Sequence, residues 1–191
     1  CKMSDIDTTN DTSFWNSKKV LVTGGSGFLG RVVVKKLRKF GLESVIVPRS
    51  VDYDLRDRSV IAHLLESTKP DYLIHLAAHV GGIGANRRYP GEFFYDNTIM
   101  GVELIEQARV YGVEKTLIAG TVCSYPSNTP SPFRESEFWN GFPEITNAPY
   151  GIAKKMLLVQ AQAYRQQYGM NIIYPIPVNL YGPNDNFEMD S

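Results

Sequence analysis

Val20-Leu21-Val22-Thr23-Gly24-Gly25-Ser26-Gly27-Phe28-Leu29-Gly30 runs from an apolar stretch straight into glycines at 24, 27 and 30. The residues after it carry a helical pattern, Leu29, Val33, Leu37 and Phe40, closed by Gly41. A strand, a tight turn and a helix are therefore expected in that order. Any tight turn into a helix favours glycine. At the head of an alternating series of strands and helices, the spacing means more. The backbone N–H groups of Gly24, Gly25, Ser26, Gly27, Phe28, Leu29 and Gly30 can approach a diphosphate where the helix dipole favours negative charge.

The alternation continues outward from that turn. Val45-Ile46-Val47 reads as a second strand, and Asp57 caps a helix through Leu65 that ends at Pro70. Tyr72-Leu73-Ile74-His75-Leu76 is a third strand, followed by a glycine-rich loop from His79 to Pro90 and a helix from about Phe93 to Tyr111. Thr116 to Ala119 is the fourth strand, followed by a loop over 121–146. A helix from Pro149 to Gly169 precedes a fifth strand, Asn171 to Val178. Strands that are apolar throughout, separated by helices, predict an α/β fold with a doubly wound parallel sheet of the Rossmann kind. Residues 18–191 read as one dinucleotide-binding domain, and the polar residues 1–17 as a disordered tail. The start on Cys1 and the stop at Ser191, with no closing helix or strand, read as cuts in a longer sequence.

The second strand narrows the dinucleotide. Folds that bind NAD place Asp or Glu at its end to hold the ribose 2′-hydroxyl. Here it ends Val47-Pro48-Arg49-Ser50, without an acid. A guanidinium at Arg49 suits a 2′-phosphate, so NADP(H) is the expected cofactor.

Tyr150 and Lys154, four residues apart at the start of the last helix, lie on one face. A phenol ordinarily titrates near about 10. A neighbouring ammonium favours the phenolate, which can exchange a proton with a sugar oxygen while hydride moves at the adjacent carbon. Thr121 adds a hydroxyl at the C-terminal end of the fourth strand, where open α/β sheets bind ligands.

With these residues in place, the chain resembles the extended short-chain dehydrogenases/reductases of the NAD-dependent epimerase/dehydratase family. Four stretches carry the resemblance: His75-Leu76-Ala77-Ala78 with Val80-Gly81-Gly82-Ile83; Ala85-Asn86 with Tyr89-Pro90; Cys123-Ser124-Tyr125-Pro126; and Asn179 to Phe187. The resemblance implies catalytic places for Thr121, Tyr150 and Lys154. It puts Asp54 and Leu55 near the adenine, Ala77 and Ala78 alongside the cofactor, and Pro177, Val178, Asn179 and Leu180 near the nicotinamide. It implies an NADPH-dependent epimerase/reductase acting on GDP-4-keto-6-deoxymannose, a cytoplasmic homodimer. Another nucleotide-sugar epimerase/dehydratase, or a non-catalytic NADP-binding protein, remains the alternative.

The same resemblance gives Cys123 acid–base work in the epimerisation, whereas a lone thiol otherwise packs as a small hydrophobe. If the chain stays extended past the fourth strand, Thr121 and Cys123 point the same way. The family commonly has Ser at both Thr121 and Val122. Its second epimerisation group, a histidine, and its C-terminal substrate domain fall beyond the end of this chain. Asn97 resembles an asparagine that holds the active-site backbone. His79 could reach the site, while His63 and His75 fit a helix and a strand.

Composition excludes several other classes. Twenty basic residues balance twenty acidic ones, so no net field draws the chain to nucleic acid or an anionic membrane. No apolar stretch is long enough to span a membrane, and residues 1–17 lack the apolar core of a signal peptide. No spaced His/Cys/Asp/Glu set suggests a metal. Two cysteines, one of them terminal, make no disulfide framework.

Overall fold

The computed structural model describes residues 12–15, 17–183 and 185. Five parallel strands, β1 (Lys19–Thr23), β2 (Ser44–Ile46), β3 (Tyr72–His75), β4 (Lys115–Ile118) and β5 (Ile172–Ile173), lie in the order β2-β1-β3-β4-β5. Val20 pairs with Val45 on one side and Tyr72 on the other. The strand order reverses between β1 and β3, and the C-terminal ends of these two strands frame a crevice for a ligand.

The continuous apolar strands follow from burial on both faces. Leu21 packs with Ile61, Leu64 and Leu65 of α2 (Arg58–Thr68) and Leu104 of α4 (Pro90–Val110). Its neighbours Val20 and Val22 face the opposite way, onto Val34 of α1 (Phe28–Lys39) and Leu42. A third cluster joins Ile118 and Ile172 to Ile105 of α4 and to Leu157 and Ala161 of α5 (Ala148–Tyr168). Asp57 caps α2 as expected, accepting a hydrogen bond from the Ser59 N–H at 2.7 Å.

Several elements differ from the sequence reading. The stretch from His79 to Pro90 is not wholly loop: Ile83–Arg88 forms α3. The fifth strand is Ile172–Ile173 rather than 171–178. Pro175 and Pro177 have no N–H to give a ladder. Their carbonyls still accept from Gly120 at 2.8 Å and Val122 at 3.1 Å, so the segment runs beside the fourth strand's exit. The chain does not stay extended beyond Thr121; Val122–Ser124 turns into a 3-10 helix. Most of the expected tail lies outside the described residues, as do Asn184, Asn186 and Phe187 of the last family-like stretch. Thr12–Trp15 forms a 3-10 turn, with the Trp15 ring 5.8 Å from that of Tyr72.

Candidate active site

The glycine loop is built where the sequence placed it. Gly24 has φ of +70°, and a Cβ there would sit 2.6 Å from the Ala77 amide nitrogen. The β1 turn thus lies directly against the end of β3. A Cβ on Gly30 would sit 2.6 Å from the Gly25 Cα, so glycine lets the first turn of α1 close onto the loop. The first N–H groups of α1 have no intrahelical acceptor and are free to meet an anion.

A cleft of about 620 Å³ opens there. Gly24, Ser26, Gly27, Phe28, Leu29 and Gly30 line one wall. Ala77, Ala78, Asp54 and Leu55 line it further along, and Tyr150, Lys154 and Pro177 close the far end. Gly25 instead turns toward Val47. Arg49 is exposed and lies outside this wall, although Pro48 and Ser50 on either side of it belong to it. Val178 and Asn179 line a neighbouring hollow with Cys123, and Leu180 is 45% exposed and lines neither.

Reading the sequence missed a charged relay along the cleft. The Arg56 guanidinium holds Asp54 through Nε and Nη2 at 2.8 to 3.2 Å and reaches Asp96 at 3.5 Å. This pairing pulls the Asp54 carboxyl down to about 2. Asp96 also holds His79 Nδ1 at 2.9 Å, and the imidazole stacks on Phe93 with ring centroids 4.6 Å apart. Asn97 grips the His79 backbone, accepting from its N–H at 3.0 Å and donating to its carbonyl at 2.8 Å. The motif Asp54-Leu55-Arg56-Asp57 was visible as charges; their convergence with Asp96 and His79 depends on how α4 packs.

Tyr150 and Lys154 do share a face of α5, as their spacing requires. The expected electrostatics does not hold. Burial pushes the phenol up to about 12, reinforced by nearby Cys123 and opposed by a hydrogen bond with Thr121. Lys154 is not among the groups that shift the phenol, so the expected lowering by the ammonium is absent and desolvation sets the direction. Lys154 is 2% exposed, and burial brings it down to about 8. Its neighbour His75 shares a 2.8 Å hydrogen bond with Thr23 Oγ1, and burial together with Lys154 keeps that imidazole neutral. No hydrogen bond engages the Lys154 ammonium among the described residues. A buried cation without a partner, facing a cleft with a glycine cradle at its other end, fits a dinucleotide with polar ribose and phosphate groups.

Thr121, the last extended residue before the 3-10 turn, accepts from the Cys123 N–H at 3.2 Å. The turn, not a continued strand, brings Cys123 to the phenol. The half-buried thiol lines the second hollow with Tyr125, Pro126, Phe133 and Asn147. Tyr150 lines the long cleft, and Cys123 of the second hollow is its near neighbour.

Fold and site together define the class. The chain belongs to the NAD dependent epimerase/dehydratase family, whose model matches residues 20–191. Among proteins of known name, it is 39% identical over 92% of its length to GDP-L-fucose synthase of Sinorhizobium fredii, covering 56% of that protein. It is 36% identical over 98% of its length to GDP-L-fucose synthase 1 of Arabidopsis thaliana, covering 57%. A solved GDP-L-fucose synthetase from Naegleria fowleri, bound to NADP, matches 91% of this chain and 54% of its own with a TM-score of 0.83 and 32% identity. The chain thus spans about half the length of the curated relatives it matches. Among the described residues, no helix is long and apolar enough to cross a membrane, and no His/Cys/Asp/Glu cluster is placed to hold a metal ion.

Proposed function

We propose that the protein is an NADP(H)-dependent nucleotide-sugar epimerase/reductase converting GDP-4-keto-6-deoxymannose to GDP-L-fucose, and that this chain holds its cofactor, its reduction groups Thr121, Tyr150 and Lys154, and one epimerisation group, Cys123. One observation carries the reading: Thr121 and Cys123 stand close to the Tyr150 phenol, and Tyr150 lines the cleft together with the buried Lys154. The names of the relatives supply the nucleotide and the sugar.

The cleft would hold NADPH, whose chemistry there would be hydride transfer to C4. Gly24, Ser26, Gly27, Phe28, Leu29 and Gly30 would hold the diphosphate, Asp54 and Leu55 would meet the adenine, and Ala77, Ala78 and Pro177 would flank the nicotinamide end. Tyr150, neutral at physiological pH, donates its proton to the C4 oxygen as charge develops there. Thr121 steadies the phenol by hydrogen bonding, and the Lys154 ammonium stabilises the charge left on it. C3 and C5 flank the C4 ketone, so their protons are acidified. Cys123 exchanges a proton at one of those carbons, a role the hollow supports by bringing the thiol close to the phenol.

The protein is further read as a homodimer, because α4 and α5 leave Tyr95, Val110, Met156 and Val159 exposed. A reducing cytoplasm suits a working thiol at Cys123. The test is to incubate the intact protein with GDP-4-keto-6-deoxymannose and NADPH. Cofactor consumption with GDP-L-fucose as product is expected; no consumption by a protein that binds NADPH overturns the substrate.

A further inference from the structure

Lys155 follows the Lys154 of the cleft but turns to the other side of α5, where neither hollow reaches it. The residue is 5% exposed. Its ammonium donates to the Ser124 carbonyl at 3.3 Å and to the Phe138 carbonyl. It also lies 4.6 Å from the ring centroids of both Phe138 and Trp139. No carboxylate pairs with it among the described residues, and burial lowers its proton affinity. A buried cation without an anion is costly, and a hydrophobe of similar volume is often as stable or more stable. Packing alone therefore does not account for a lysine here.

What the ammonium joins is specific. Ser124 ends the 3-10 turn that carries Cys123, and its hydroxyl donates to the Gly151 carbonyl of α5 at 2.7 Å. Phe138 closes the 3-10 turn Glu135–Glu137, and its ring meets Tyr125, which lines the hollow with Cys123. Lys155 thus donates to both the cysteine turn and the aromatic loop that backs the hollow.

We propose that Lys155 is a positioning residue that pins the Cys123 turn and the aromatic wall of the second hollow to α5, fixing the thiol against Tyr150. Its catalytic consequence rests on the reading of Cys123 as an acid–base group; the geometric claim does not. Two donated hydrogen bonds and two aromatic faces replace the missing carboxylate. The stability forgone on burying the charge secures a single arrangement of the site.

The test is the rate at which iodoacetamide alkylates Cys123, measured in a Cys1→Ser background beside the melting temperature. Lys155→Met is expected to melt within a few degrees of the parent, or above it, while alkylation accelerates by about fivefold or more as the turn loosens. Lys155→Arg, which restores charged donors, should return the rate to within about twofold of the parent. An unchanged rate in folded Lys155→Met overturns the proposal. So does an Arg variant as fast as the Met variant. If Lys155→Met does not fold, Lys155→Gln gives the same readout, and an unchanged rate there overturns it equally. Alkylation needs neither cofactor nor sugar, so loss of the enzymatic reading leaves this result standing.

Discussion

Tyr150 and Lys154 stand one helical turn apart on α5, and burial moves them in opposite directions, the phenol up to about 12 and the ammonium down to about 8. The phenol is therefore fully protonated at neutral pH, the state that a proton donor to a reduced C4 oxygen needs. The lysine changes charge close to the working range.

The lysine shift predicts a pH dependence of stability. Lys154 binds its proton less tightly when folded, about 8 against 10.5. Below pH 8 both states are protonated and burial of the charge costs stability. As pH rises from 8 toward 10.5, the unfolded chain binds more protons and stability recovers. Lys154→Met removes the charge, so at pH 7 it should be more stable than the parent by about 3 kcal/mol at most, with the gap closing by pH 10. Denaturant melts at the two pH values check this; parallel pH profiles contradict it.

Tyr150→Phe removes the proton donor and keeps the ring. Turnover should fall by ~10² to 10⁴-fold with NADPH affinity within about twofold of the parent. Steady-state rates beside a fluorescence titration separate the two. Retained turnover would assign the proton to another group.

At Gly30 the first turn of α1 has no room for a methyl group. Gly30→Ala should weaken NADPH binding by at least about tenfold and lower the melting temperature, because backbone must move. Gly84→Ala, where a Cβ meets nothing within 4 Å, is the matched control. Equal affinities in the two variants would remove the loop from the cofactor site.

Arg49 and Arg56 compete for the role of cofactor discriminator. Arg49 follows the β2 end but is exposed outside the wall, whereas Arg56 lines it, tied to Asp54. If Arg49 meets the 2′-phosphate, Arg49→Gln should lose NADPH affinity by about tenfold and leave NADH unchanged. Arg56→Gln should weaken both, by freeing Asp54 and Asp96 to repel the phosphates. Titration of both variants with both cofactors decides; a reversed pattern moves the selectivity to Arg56.

What could be read from the chain was local. The apolar run before Gly24, the glycine spacing and the Tyr150–Lys154 interval each act within one turn or strand, and the structure keeps them. What escaped depends on contacts distant in sequence. Arg56 meets Asp96 only because α4 packs beside the cleft. The turn at Val122–Ser124 is bonded to residues distant in sequence, Ser124 donating to the Gly151 carbonyl and accepting from Lys155 through its own carbonyl. Pro175 and Pro177, each without an N–H to give a ladder, leave β5 at Ile172–Ile173 although the apolar run continues to Val178. The phenol's upward shift followed from burial, which spacing does not reveal.

Solvent deuterium wash-in at C3 and C5 of GDP-4-keto-6-deoxymannose, followed beside NADPH oxidation in the intact protein and in Cys123→Ser, tests the central claim most directly. A serine hydroxyl is nearly the same size as the thiol but far less acidic. The account predicts labelling at both carbons in the parent. In Cys123→Ser it predicts a ~10² to 10⁴-fold loss of exchange at one or both, with reduction of an already epimerised 4-keto sugar retained. Unchanged wash-in in a folded Cys123→Ser variant contradicts it and makes Cys123 a packing residue.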